Sequence, residues 1–197
     1  MSYPIPAHAC ETCYEIKKSR FLARIVPVTD RAAAMSALEL AKQTYPDARH
    51  HCWAYQIGPP NSPRLVALSD DGEPGGTAGK PILNVIQHKN VGDIMLIVTR
   101  YFGGIKLGAG GLVRAYSQAA QQAFDVVTLT EYRELEELTI QCDYASEQWL
   151  RHQIALLAGA IRTVDFAEEV TLTVALASDQ IPALRDVLGQ GRGRILD

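Results

Sequence analysis

The sequence predicts an α+β protein of two domains, 1–130 and 131–197. Three observations predict it. From Ser69 to Tyr116 the chain twice repeats the same order of strand, glycine-rich turn and helix. Between Val126 and Glu137 the apolar periodicity changes register and acidic residues accumulate, which places the boundary there. The remainder reads βαββα, and a split βαβ plan of this size fits a ferredoxin-like sandwich.

The elements follow in order from periodicity and punctuation. Glu11 to Ile16 alternates weakly and Phe21 to Val28 more strongly, so Lys17-Lys18-Ser19-Arg20 joins two strands as a hairpin with a basic flank. A solvated charged turn accounts for those four residues without a ligand. Thr29 or Asp30 caps a helix to about Tyr45, with Ala34, Leu38, Ala41 and Tyr45 on one face and Pro46 as its stop. His50 to Ile57 is a strand with His51, Trp53 and Tyr55 on one side and Cys52 and Ala54 on the other. Leu65 to Leu68 delivers Asp70, Asp71 and Glu73 at its end, and Thr77 caps a helix over Lys80 to Gln87. Ile94 to Val98 is apolar throughout, as a central strand buried on both faces must be. Leu112 to Phe124 is a helix with Leu112, Tyr116 and Ala123 inward and Arg114, Gln118, Gln121 and Gln122 outward. In the second domain, strand Leu138 to Cys142 precedes a helix capped by Ser146 and closed by Gly159. A hairpin of Ile161 to Phe166 and Val170 to Ala177 follows. The last helix starts at Ser178 or Asp179, and Gly189, Gly191 and Gly193 fray its end.

Composition excludes several classes. Residues 1–128 carry 13 Lys and Arg against 10 Asp and Glu, and residues 129–197 carry 6 against 12. A surface coated in positive charge for bulk nucleic-acid binding is therefore excluded, and any phosphate site is local and in the first domain. No apolar run reaches membrane-spanning length, and the first residues lack the pattern of a secretory signal. The expectation is a cytoplasmic protein whose four cysteines stay reduced.

Ten of the fifteen glycines lie between Ser69 and Tyr116. Glycine is costly in regular structure, so this density calls for left-handed backbone or close approach of another group. Each turn sets free N–H groups and a helix start beside basic residues, a combination that attracts anions. In a sheet with parallel segments the strand C-terminal ends form the usual ligand edge. The candidate phosphate or nucleic-acid contacts are thus Lys80, Arg100, Lys106 and Arg114, with the turn glycines Gly103, Gly104, Gly110 and Gly111. Tyr101 and Phe102 add stacking faces. Against this stands a plainer role for Arg100, bracing two loops through Asp70, Asp71 or Glu73. Those three carboxylates form a conditional acid cluster, either a Mg²⁺ or general-base site or a turn held by Asp side chains on backbone N–H groups.

Sharper motifs fail. Pro74 stands where a Walker A loop needs its first glycine, and Pro81 follows Lys80. Gly108 and Gly110 begin a dinucleotide fingerprint, but Val113 replaces its third glycine. Cys10 and Cys13, with His8, His50, His51 and Cys52, offer zinc ligands but only one C-x-x-C, so no metal, cofactor or catalytic residue is assigned.

The runs DDGEPGGTAGKPIL and VTRYFGGIKLGAGGLVRAY, with HHCWAY and KKSRFLA, resemble the signature of the IMPACT family and its bacterial YigZ-like branch. The resemblance implies a ribosomal protein S5 domain 2-like first domain, a fold shared with the fourth domain of elongation factor G. It implies a ferredoxin-like second domain similar to that factor's fifth. Eukaryotic members regulate translation through a protein partner of an amino-acid-starvation kinase, and only the translation setting is carried over. The resulting expectation is a non-enzymatic protein that binds RNA, the ribosome or tRNA through the glycine-rich basic edge. The alternatives are a metal-dependent enzyme on a phosphorylated small molecule or nucleotide, and an adaptor with a protein partner.

Overall fold

The computed structural model describes residues 2–189 and 191–196, which form two compact units, Tyr3–Tyr132 and, with Ser2, the chain from Arg133 onward. The first unit contains β2 (Cys10–Ile16), β3 (Ser19–Pro27), α1 (Arg31–Thr44), β4 (His50–Ile57), β5 (Leu65–Ser69), α2 (Gly79–Lys89), β6 (Ile94–Tyr101) and α3 (Ala109–Val126). A further strand, β1 (Ser2–Pro6), precedes them and pairs with β7 (Leu129–Arg133) as a separate two-stranded ribbon.

The five-stranded sheet has the order β2-β3-β6-β4-β5, and every pairing is antiparallel. The expected parallel segments are thus absent from this sheet. The expected common edge survives for a different reason. β5 and β6 both run antiparallel to β4 between them, so their C-terminal ends, and the glycine turns that follow, leave at the same end of the sheet.

β6 sits centrally because its run over residues 94–98 is apolar on both faces. Leu96 and Val98 pack with Phe21, Ala54, Ile82 and Tyr116 beneath α2 and α3. Met95 and Ile97 pack with Tyr55, Ile57 and the alanines Ala34 and Ala41 of α1 on the other face. Each fully buried Leu, Ile, Val, Met or Phe side chain contributes about 1.5–3 kcal/mol. Asp30 caps α1, its side chain accepting from Ala33 N at 2.8 Å.

β1 and β7 were not legible as strands, yet β1 is tied firmly. The Tyr3 hydroxyl donates to Asp93 Oδ2 at 2.8 Å, and Gly58 N donates to Asp93 Oδ1 at 2.7 Å, all buried. A Cβ on Gly92 would lie 2.3 Å from the Gly58 carbonyl oxygen and 2.7 Å from the Tyr3 ring, so only glycine lets them meet.

The second unit holds β8 (Leu135–Cys142), α4 (Glu147–Leu156), β9 (Ala160–Phe166), β10 (Val170–Ala177), α5 (Ile181–Leu188) and β11 (Arg194–Leu196). Its antiparallel sheet has the order β11-β8-β10-β9, which with the two helices is a ferredoxin-like sandwich. Ile140, Leu150, Ile154, Leu172, Val174 and Leu184 form its core. Two expectations are corrected here. The glycines after α5 lead into β11, which pairs Ile195 with Ile140 and completes a βαββαβ plan. The last helix begins with a 3₁₀ turn over Ser178–Gln180, and no side chain caps α5.

Tyr3→Phe removes the hydroxyl donor to buried Asp93 and is expected to cost about 1–3 kcal/mol of stability in urea unfolding.

Candidate functional site

The end of the sheet where β5 and β6 finish also carries the β2–β3 turn. Cross-strand register sets Arg20 beside Tyr101 and His50 beside Arg100. Gly103 shows how tightly these loops meet. A Cβ there would lie 2.0 Å from the Lys18 carbonyl carbon, and Gly103 N donates to the buried Ser19 hydroxyl at 3.1 Å. The hairpin turn and the 102–108 loop are therefore one continuous surface. Lys17 and Lys18 form that turn in the left-handed region, at φ 48° and 63°. For non-glycine residues this conformation costs about 1–2 kcal/mol each. Lys17, Lys18, Arg20, Lys106 and Arg114 are all exposed on this surface.

The two glycine turns, alike in sequence, differ in what fills them. In the first, Asp70 Oδ2 accepts from Gly76 N at 2.7 Å, and its Oδ1 accepts from Ala78 N at 2.9 Å and Gly79 N at 2.8 Å. The start of α2 is thus occupied by a carboxylate of the chain itself. Thr77, expected as the cap, instead donates its hydroxyl to the Pro74 carbonyl at 2.6 Å. Burial alone would raise the Asp70 pKa, but the donors Gly76, Gly79 and Ala78 outweigh it and hold the carboxyl below its ordinary value. In the second turn, Gly108 (φ 72°) precedes α3 with no side-chain cap, and Gly108, Ala109 and Gly110 are exposed. Among the described residues no side chain caps the start of this 18-residue helix.

The other two acidic residues are also engaged. Asp71 Oδ2 accepts from His51 N at 2.7 Å, and its carbonyl oxygen lies 2.7 Å from His50 Nδ1. Glu73 Oε1 accepts from Arg100 Nη1 at 2.6 Å and from the Tyr116 hydroxyl at 2.9 Å. Both partners of this ion pair are buried, with side chains 8% (Arg100) and 4% (Glu73) exposed. The Cys52 thiol lies 3.3 Å from the Tyr116 oxygen and 2.9 Å from the Asp70 carbonyl oxygen. Burial pushes the Cys52 thiol up to about 12, raises the Tyr116 phenol further, and lowers His51. Near neutral pH all three are uncharged. Among the described residues no group of three or more His, Cys, Asp and Glu has the arrangement to hold a metal ion.

The candidate residues therefore separate. Arg100, first considered as a surface cation, is a buried brace between the acidic turn and β6, with its guanidinium 5.5 Å from the Phe21 ring centre and 5.6 Å from that of Phe102. Tyr101 is half-buried with the Arg20 guanidinium 5.0 Å over its ring. Gly103 serves loop packing, whereas Gly104 and Gly110 are open. Gly111 is half-buried, with the Leu107 Cβ 3.0 Å from where its own Cβ would lie. Lys80 is exposed on the first turn of α2, in front of amides already bonded to Asp70. Lys17, Lys18 and Arg20 join the surface. Their basic run was visible in the sequence, but the contact of Lys18 and Ser19 with Gly103, across more than eighty residues, was not. Cys10 and Cys13 lie three apart on β2 and so on opposite faces. Cys10 Sγ is 3.9 Å from the Ala123 carbonyl oxygen, while Cys13 is exposed, which separates the zinc ligands weighed above.

Arg100→Met strands the buried Glu73 carboxylate and is expected to cost about 3–5 kcal/mol, with much of the loss recovered when Glu73→Gln is added, as read by denaturant unfolding. Asp70→Asn is expected to cost about 1–2 kcal/mol at neutral pH. Because the folded-state pKa of Asp70 is depressed, the advantage of wild type over Asp70→Asn is complete above the unfolded carboxylate value of about 4 and fades as pH falls through the folded one.

Residues 17–124 match the Impact N-terminal domain, and residues 140–189 match a domain of unknown function (DUF1949). The chain is 39% identical over 180 residues to IMPACT family member YigZ of Escherichia coli K12, covering 91% of this chain and 88% of that protein. It is 35% identical over 195 residues to an IMPACT family member of Haemophilus influenzae, covering 98% and 95%. A solved crystal structure of a hypothetical protein superposes with a TM-score of 0.71 at 37% identity, covering 99% of this chain and 96% of that one. With both domains matched in order, the chain belongs to the IMPACT family, among bacterial members such as YigZ.

Proposed function

We propose that this protein binds RNA, free or within a ribonucleoprotein such as the ribosome, through the surface made by the β2–β3 turn, the 102–108 loop and the start of α3. Lys17, Lys18, Arg20, Lys106 and Arg114 contact phosphate oxygens, and the uncapped amides at Gly110 and Gly111 supply neutral donors. Lys80 lies at the periphery, and Arg100 holds the site together from beneath. The observation that carries this reading is the backbone contact of Gly103 with Lys18 and Ser19, which joins lysines from two distant segments into one rim. Binding is favoured over catalysis because the nucleophilic groups behind the rim, Cys52 and Tyr116, are buried and held protonated. The translation setting implied by the family resemblance belongs to the same proposal. So does a cytosolic site of action, with which the free thiols Cys10, Cys13, Cys52 and Cys142 are consistent.

Filter binding to transfer RNA across a salt titration tests it. Lys18→Ala and Lys106→Ala are each expected to weaken binding and to reduce the slope of log K against log salt by about 0.7–0.9. Unchanged slopes in both variants contradict the proposal.

A further inference from the structure

Phe102 is the most anomalous residue on this surface. The residue is 53% exposed, and three residues on Ile105 is 45% exposed. Both stand in a loop whose other residues are three glycines, Lys106 and the half-buried Leu107. Phosphate contact requires neither. Exposure of an aromatic ring commonly accompanies mobility, but this ring is anchored. The Arg100 guanidinium lies 5.6 Å from its centre, and that guanidinium is clamped by Glu73 at 2.6 Å and packed against Phe21 at 5.5 Å. The stack Phe21–Arg100–Phe102 therefore runs from the core outward and fixes Phe102 from one side. The neighbouring aromatic differs, since the Tyr101 ring is already covered by Arg20.

Resting on the RNA-binding reading above, we infer that the bound segment is single-stranded and that Phe102 is the platform on which one of its bases stacks. A duplex turns its base faces inward and presents sugar and phosphate, against which an exposed phenyl ring gains little. A single strand offers unstacked base faces together with phosphates one nucleotide apart. The rim matches that combination: Phe102 is bordered through Gly103 by the Lys17–Lys18 turn and, along its own loop, by Lys106. Arg100 acts here as a positioning residue. Its cation, neutralised by Glu73, holds the ring in place without displaying charge at the surface.

Fluorescence anisotropy tests this with two labelled probes, a single-stranded RNA of mixed sequence about 16 nucleotides long and the fully paired duplex of the same length. Wild type is expected to prefer the single strand. Phe102→Ala is expected to lower single-strand affinity by about 5- to 100-fold with the salt slope unchanged, and to leave duplex affinity as it was. Phe102→Trp is expected to retain affinity and to add tryptophan emission that the single strand quenches and the duplex does not, measured relative to wild type. Equal affinity of Phe102→Ala and wild type for the single strand, with Lys106→Ala weakening both probes, overturns the stacking role and leaves the phosphate surface standing. Failure of wild type to bind either probe overturns the RNA-binding reading itself.

Discussion

The buried pairing of Glu73 with Arg100 is the constraint on which the rest of this end of the molecule depends. Removing two charges from water is expensive, and the attraction between them repays that cost only when geometry and further hydrogen bonds are good. Here the carboxylate also receives the Tyr116 hydroxyl from α3, and the guanidinium packs between two phenyl rings. Three segments distant in the chain, the acidic turn, β6 and α3, are thereby fixed to one another. An apolar core would hold them as tightly, but it would not require that Glu73, Arg100 and Tyr116 meet at one oxygen. The arrangement selects the path by which each loop leaves the sheet, and so sets what those loops present to solvent.

Two stretches of similar grammar reach different ends for a reason that can be counted in hydrogen bonds. The amides at the start of α2 face Asp70, a carboxylate only a few residues upstream on the same turn. Those at the start of α3 have no comparable residue before them, since the approach is Gly104, Ile105, Lys106, Leu107 and Gly108. A glycine-rich turn before a helix is an anion site only after the chain's own carboxylates have been subtracted. The amides of the first turn are taken by Asp70, whereas Gly108 leads into α3 with no side-chain cap.

Much of the fold was legible in the residues. The unbroken apolar run of β6, the Asp30 cap and the alternation in β4 each express a local rule, and the chain obeys them. What escaped was set by distant partners. β1 is defined by Tyr3 reaching Asp93, and β11 by pairing with β8 across more than fifty residues. Their own periodicity is too short to declare a strand. The site divides in the same way. That basic residues and glycines cluster was readable, and so was the alternative that Arg100 braces a loop. Which cations face water was not readable, because that depends on Glu73 taking Arg100 inward and on Gly103 admitting Lys18. The left-handed lysines of the hairpin carry no sequence signal, since that turn more often uses asparagine and glycine.

The most direct measurement is an amide chemical-shift map of isotopically labelled protein titrated with RNA. The account predicts that shifts concentrate in residues 17–19 and 104–111, while the amides of Gly76, Ala78 and Gly79, already bonded to Asp70, hold their positions. Shifts confined to 75–79, or to the second unit with 104–111 unmoved, would contradict it.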